Sequence, residues 1–136
     1  MKKFFLVLFT VVCTVSLYAQ QPVATVADST AKAKIVFESQ IHNYGALVYG
    51  ADGTCSFKFK NEGSIPLVLS NVQASCGCTT PAWTREPVKP GATGEIKVTY
   101  DTKRMGAFSK SITVTSNAET PTVVLRIAGE VKPAVN

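Results

Sequence analysis

Histidine occurs once in these 136 residues, at His42, and tryptophan once, at Trp83. That scarcity narrows the chemistry open to the chain. No Ser-His-Asp order accompanies His42, no glycine-rich phosphate loop is present and no two carboxylates form a close pair, so the sequence offers no catalytic residue for hydrolysis or group transfer. His42 is read instead as a hydrogen-bonding residue at a strand edge. Basic clusters are equally scarce: apart from Lys103-Arg104 the cations are dispersed, and no nucleic-acid partner is expected. No segment repeats apolar residues at helical spacing, which leaves strands to build the fold.

The chain has one long apolar run, Phe4 to Leu17, preceded by Lys2 and Lys3 and followed by the small residue Ala19. It is shorter than the roughly 20 residues that cross a bilayer, and the Gln20-Gln21-Pro22 that follows is polar. Residues 1–19 are therefore read as a signal peptide and the protein as exported, to the periplasm or the cell surface, with no integral membrane segment after cleavage. Cys13 is not read as a lipid attachment site, because Thr10-Val11-Val12 lacks the small residue needed beside it. Loss of Lys2 and Lys3 leaves twelve basic against nine acidic side chains, too small an excess to argue for a polyanionic partner.

Residues 20–33 mix Ala, Thr, Val, Gln, Asp and Ser without a period and are expected to form a flexible leader. From residue 34 to 136 a single domain is expected. Thr54-Cys55-Ser56-Phe57-Lys58-Phe59-Lys60 alternates apolar and polar residues, as a half-buried strand does. Similar readings cover Lys34 to Ser39, Tyr44 to Tyr49, Leu67 to Ala74, Glu95 to Asp101, Phe108 to Ser116 and Thr122 to Val131. Turn residues punctuate them at Asn61-Glu62-Gly63-Ser64, Lys89-Pro90-Gly91, Asp101 to Gly106 and Ser116-Asn117-Ala118. The expected fold is all-β, an immunoglobulin-like β-sandwich of about seven strands. Its core would draw on Val36, Cys55, Phe57, Phe59, Leu67, Leu69, Ile96, Val98, Tyr100, Ile112, Val114, Leu125 and Ile127. No pair of cysteines brackets a buried tryptophan, so packing rather than a cross-sheet disulfide is expected to hold the two sheets.

His42 with Tyr44-Gly45, Asn61 to Leu67, Ser75-Cys76-Gly77-Cys78-Thr79, Pro87 to Gly91 and Tyr100-Asp101-Thr102 occur in this order. Together they resemble a family of bacterial exported proteins defined by a domain of unknown function, related in fold to the hydin-type and major-sperm-protein-like domains. The resemblance runs from about Ile35 to Val131. It implies export and an immunoglobulin-like sandwich whose relatives mostly bind proteins, and it implies no reaction. His42-Asn43-Tyr44 departs from the pattern, where an acidic residue and Phe are more usual.

Three cysteines remain after cleavage: Cys55, Cys76 and Cys78. If the Asn61–Ser64 turn joins a hairpin, Cys55 lies level with about Ser70, near 20 Å from Cys76 along the strand direction. That is beyond the roughly 4.4–6.8 Å between Cα atoms that a disulfide tolerates. Cys55 is read as a buried hydrophobe. Cys76 and Cys78 leave three readings open: a sharp turn around Gly77, with or without a disulfide; a redox-active disulfide; or a pair of thiolates for copper or zinc, completed by His42, Cys55, Met105 or an acidic residue. Trp83 and Arg85 downstream are candidate partner contacts, set against the alternative that Trp83 caps one end of the core. The functional expectation is a binding or structural module without enzymatic activity or cofactor, contacting another exported or cell-envelope protein through strand edges or end loops. The alternative is a thiol-redox or soft-metal protein centred on Cys76 and Cys78.

Overall fold

A computed structural model describes residues 30–135. The expected signal peptide and the leader up to residue 29 lie outside the described residues. Eight strands follow one another: β1 Ile35–Phe37, β2 Ile41–Val48, β3 Thr54–Asn61, β4 Leu69–Ala74, β5 Thr79–Trp83, β6 Thr93–Tyr100, β7 Gly106–Ser116 and β8 Thr122–Lys132. They form two four-stranded sheets, ordered β1-β3-β6-β5 and β2-β8-β7-β4. All pairings are antiparallel except β2 with β8, which run parallel.

The core follows from alternation. Cys55, Phe57 and Phe59 on β3, Ile96, Val98 and Tyr100 on β6, Ile112 and Val114 on β7, and Leu125 and Ile127 on β8 point between the sheets and are buried. Leu67, Val72, Val88, Phe108 and Val131 join them. Val36, expected in the core, is only half-buried, since the short β1 lies at a sheet edge.

The segment Lys34 to Ser39 is not one strand. The chain pairs with β3 as far as Phe37, passes through Glu38–Gln40 and continues as β2 beside β8 in the other sheet. The strand Thr79–Trp83 was not expected from the sequence, because Pro81 interrupts it. Cys78 O accepts from Asp101 N at 2.9 Å, which sets the alternation so that Thr80 and Ala82 bond to β6 while Pro81 faces the open edge. A proline is tolerated there because no ladder donor is lost.

The Asn61–Ser64 turn does not close a hairpin either: β3 pairs with β1 and β6, whereas β4 pairs with β7 in the opposite sheet. The end of the expected leader is also held in place. Ala33 is fully buried and bridges Ala118, its carbonyl accepts from Glu119 N, and Lys32 O accepts from Ser64 N. A Cβ on Gly63 would run into the backbone of Lys32, Ala33 and Lys34, so the turn needs glycine for this close approach.

Candidate functional site

β4 ends one sheet and β5 begins the other, so residues 75–78 carry the chain across one side of the sandwich. Within this switch Cys76 and Cys78 are joined in a disulfide, with Cα atoms 5.3 Å apart. Two backbone anchors fix the turn: Ser75 N donates to Ser111 O at 2.9 Å, and Asp101 N donates to Cys78 O at 2.9 Å. The Ser111 amide in turn donates to the Ser75 hydroxyl. Cys78 is buried at 5% exposure, whereas Cys76 is half-buried and Gly77 exposed. A Cβ on Gly77 would meet no atom within 4 Å, so the approach to the turn is open.

Thr79 follows directly and its buried hydroxyl lies 3.8 Å from both sulfurs. On β7 the residue next beyond Ser111 is Lys110, half-buried and in inward register with Phe108 and Ile112. It adjoins Ser111, whose carbonyl holds the amide of Ser75 next to Cys76. Thr79 belongs to the Cys-Gly-Cys-Thr motif read from the sequence, whereas Lys110 is 34 positions from Cys76 and its strand meets the chain before the disulfide only through the β4–β7 pairing.

Cys55 remains a free, buried thiol. It pairs with Val98, which pairs in turn with Pro81, so two inter-strand steps and three residues separate Cys55 from Cys78. At about 4.8 Å and 3.3 Å per step this is roughly 14 Å, too far for a bridge. Burial pushes the Cys55 thiol above the usual range, and a hydrogen bond with Tyr44 partly opposes that. The Tyr44 hydroxyl donates to Gly53 O at 2.7 Å; burial, more than the Cys55 and Asp52 neighbours, raises it above the ordinary tyrosine range.

His42 lies on β2 and packs edge-on against Tyr44, with ring centroids 4.5 Å apart. Met105 is exposed in the loop before β7. While bonded to each other, the sulfurs of Cys76 and Cys78 offer no thiolate to copper or zinc. Among the described residues no three His, Cys, Asp or Glu side chains are grouped to hold a metal ion.

Trp83 closes β5 opposite Ile96 and is half-buried against the core, with the Arg85 guanidinium 4.3 Å from the ring centroid. Its indole nitrogen is buried and has no hydrogen-bond partner. A shallow groove of about 320 Å³ runs beside it, lined by Ala82, Thr84, Glu95 and Lys97. Cys78 immediately precedes β5 and Trp83 ends it, about 17 Å apart, so the cysteine pair and the Trp83–Arg85 pair are separate features.

Two four-stranded sheets, a parallel contact between β2 and β8 and a first strand divided between the sheets define a sandwich of the immunoglobulin-like, PapD-like class. Within that class the chain belongs to the family described as "Protein of unknown function (DUF1573)", whose model matches residues 35–131. No curated protein matches the chain. Among solved structures, a protein of unknown function from Porphyromonas gingivalis W83 aligns with a TM-score of 0.68 at 20% identity over 79% of this chain and 51% of that one. The PapD-like domain 7 of human CEP192 aligns at 0.64 with 8% identity, covering 86% of this chain and 100% of the domain. The secreted serine protease VesC of Vibrio cholerae aligns at 0.56 with 14% identity over 76% of this chain and 24% of the protease. The chain thus spans about half of the Porphyromonas protein and a quarter of VesC. These likenesses carry the fold.

Proposed function

We propose that this domain is an exported protein-binding module that takes an extended segment of another cell-envelope protein onto the free edge of β4. The supporting observation is how the four sheet edges differ. β1 is three residues long. β2 is broken by a register shift between Asn43 and Ala46, and its outward amides at Ile41 and Gly45 are capped by Ser39 Oγ and Asn43 Oδ1. β5 presents Pro81 outward. Each of these is a known way of blunting an edge against strand pairing.

β4, Leu69-Ser70-Asn71-Val72-Gln73-Ala74, carries no charge and no proline. Its irregularity falls between Leu69 and Asn71, leaving Asn71 to Ala74 regular. Because Ser75 bonds to Ser111, alternation turns Asn71 and Gln73 toward β7 and the backbone groups of Val72 and Ala74 toward the open side. Trp83 and Arg85 flank the same side of the sandwich from β5 and are the candidate side-chain contact. No cofactor enters this reading.

The test compares proteins retained from an envelope fraction by the wild type and by Ala74→Pro and Asn43→Pro, with thermal unfolding as a check on folding. Proline at position 74 removes one outward amide without touching the β7 ladder. Loss of specific partners with Ala74→Pro and their retention with Asn43→Pro is the expected result. The same partners on all three proteins would refute strand addition at β4.

A further inference from the structure

We propose that the Cys76–Cys78 disulfide is a thiol–disulfide exchange site, with Cys76 as the attacked sulfur and a dithiol as substrate. This goes beyond the binding role and stands on separate observations. The two sulfurs are unequal in exposure: Cys78 is buried, Cys76 is half-buried, and the space around Gly77 is open. An incoming thiolate therefore reaches Cys76 and meets protein at Cys78. Each thiolate formed has a stabilising group at hand, which is the condition for a good leaving sulfur. The Thr79 hydroxyl is 3.8 Å from either sulfur, and Lys110 adjoins Ser111, whose carbonyl holds the amide of Ser75 next to Cys76. Asp101, whose amide bonds to Cys78 O, has its carboxylate engaged, accepting from Lys103 N and pairing with Arg104.

The exchange balances in two steps. A substrate thiolate attacks Cys76 Sγ, forming a mixed disulfide, and the electron pair of the Cys76–Cys78 bond leaves on Cys78 Sγ, which takes up a proton. The second substrate thiolate then attacks the substrate sulfur of the mixed disulfide, and Cys76 leaves as a thiolate beside Lys110. The substrate is oxidised to a disulfide, and Cys76 and Cys78 are reduced to thiols. Cys55, two strands away and buried, takes no part and serves as an internal control.

The dithiol has two sources, a small molecule or a polypeptide, and the experiment separates them. The oxidised protein is mixed with dithiothreitol in one arm and with a reduced unstructured peptide carrying two cysteines in the other. New thiols are alkylated and located by mass spectrometry. The expected result is modification at Cys76 and Cys78 at a rate at least about tenfold above global unfolding and unchanged by low urea. With one cysteine of the pair left and the probes now supplied in their disulfide forms, Cys78→Ser should form a mixed disulfide, releasing one probe thiol, about tenfold faster than Cys76→Ser. Lys110→Gln should slow that reaction, and Lys110→Arg should restore it. A faster reaction with the peptide assigns a polypeptide substrate, and an equal or slower one a small dithiol. Opening of the bond only at the unfolding rate, or a Cys78 thiol as reactive as Cys76, would overturn the proposal; unchanged kinetics in Lys110→Gln would remove Lys110 from it.

Discussion

The ring of Tyr100 on β6 lies flat against that of Phe108 on β7, with centroids 3.7 Å apart and planes 11° from parallel. The pair belongs to opposite sheets and closes the core at the end that carries the disulfide. Tyr44 packs against the same Phe108 ring at 5.8 Å. Phe108→Ala is expected to cost about 3–5 kcal/mol, since both contacts go and a cavity remains. Urea unfolding measures this, and Phe108→Leu should lose less. A cost under about 1 kcal/mol would show that the stack contributes little.

Asn61 is the buried polar hub at the other end. Its amide nitrogen donates to Ile65 O at 2.8 Å and Val88 O at 2.9 Å, and its side-chain oxygen accepts from Gly63 N at 2.9 Å. These bonds hold two turns around one side chain, and Lys34 N, at the entry to β1, donates to the same oxygen at 3.3 Å. Asn61→Ala strands those partners in a dry site, and a loss of about 3 kcal/mol is expected. The denaturation midpoint should fall with an unchanged slope; a changed slope would mean that the turn opens in the native state.

The disulfide closes a loop of three residues from Cys76 to Cys78. Loop-closure entropy for so short a ring gives about 1.5 kcal/mol, half of what a 15-residue loop gives. Replacing both cysteines with serine should therefore lower stability by about 1–2 kcal/mol and leave the fold intact. Circular dichroism and thermal melts decide this. Failure to fold would assign the bond a mainly structural role.

Alkaline pH should weaken the domain. The folded Cys55 thiol and Tyr44 hydroxyl are both raised above their ordinary values, burial being the first cause for each. The unfolded chain then releases these protons first, so stability is full below the ordinary thiol range near pH 8.5 and falls as pH climbs above it. Cys55→Val should flatten the decline seen in urea melts between about pH 7.5 and 10. A parallel decline in the variant would place the effect on other groups.

Where one face of a strand is buried, the sequence already carries the answer. Cys55, Phe57 and Phe59 alternate with Ser56, Lys58 and Lys60, and their burial alternates with them. The features that were not legible depend on which sheet a strand joins. Nothing in Glu38-Ser39-Gln40 marks a change of sheet, and the Asn61–Ser64 turn reports a reversal without saying that β4 will pair with β7. Pro81 concealed β5, because a proline is compatible with a strand only at an edge and edges are set by topology. Cys76 and Cys78 stood out in the chain, yet the companions of their sulfurs did not. Thr79 stands in the same motif, yet nothing in the sequence sets its hydroxyl between the two sulfurs, and Lys110 adjoins Ser111, which meets Ser75 only through the β4–β7 pairing. Cys55 is buried and unbridged as its alternation implies, but what separates it from Cys78 is two strand steps within one sheet and not a hairpin.

The parallel pairing of β2 with β8 gives the domain a mechanical polarity. The chain enters β2 from the Asn61 end, and β8 runs out at the disulfide end. A pull on the two chain ends therefore drags β2 and β8 past each other along their length. Six register pairs, Ile41–Arg126 through Val48–Lys132, carry that load side by side, and none can open before its neighbours as in a zipper. Stretched between Thr30 and Lys132, the sandwich resists in shear, with the disulfide at the end where β8 runs out.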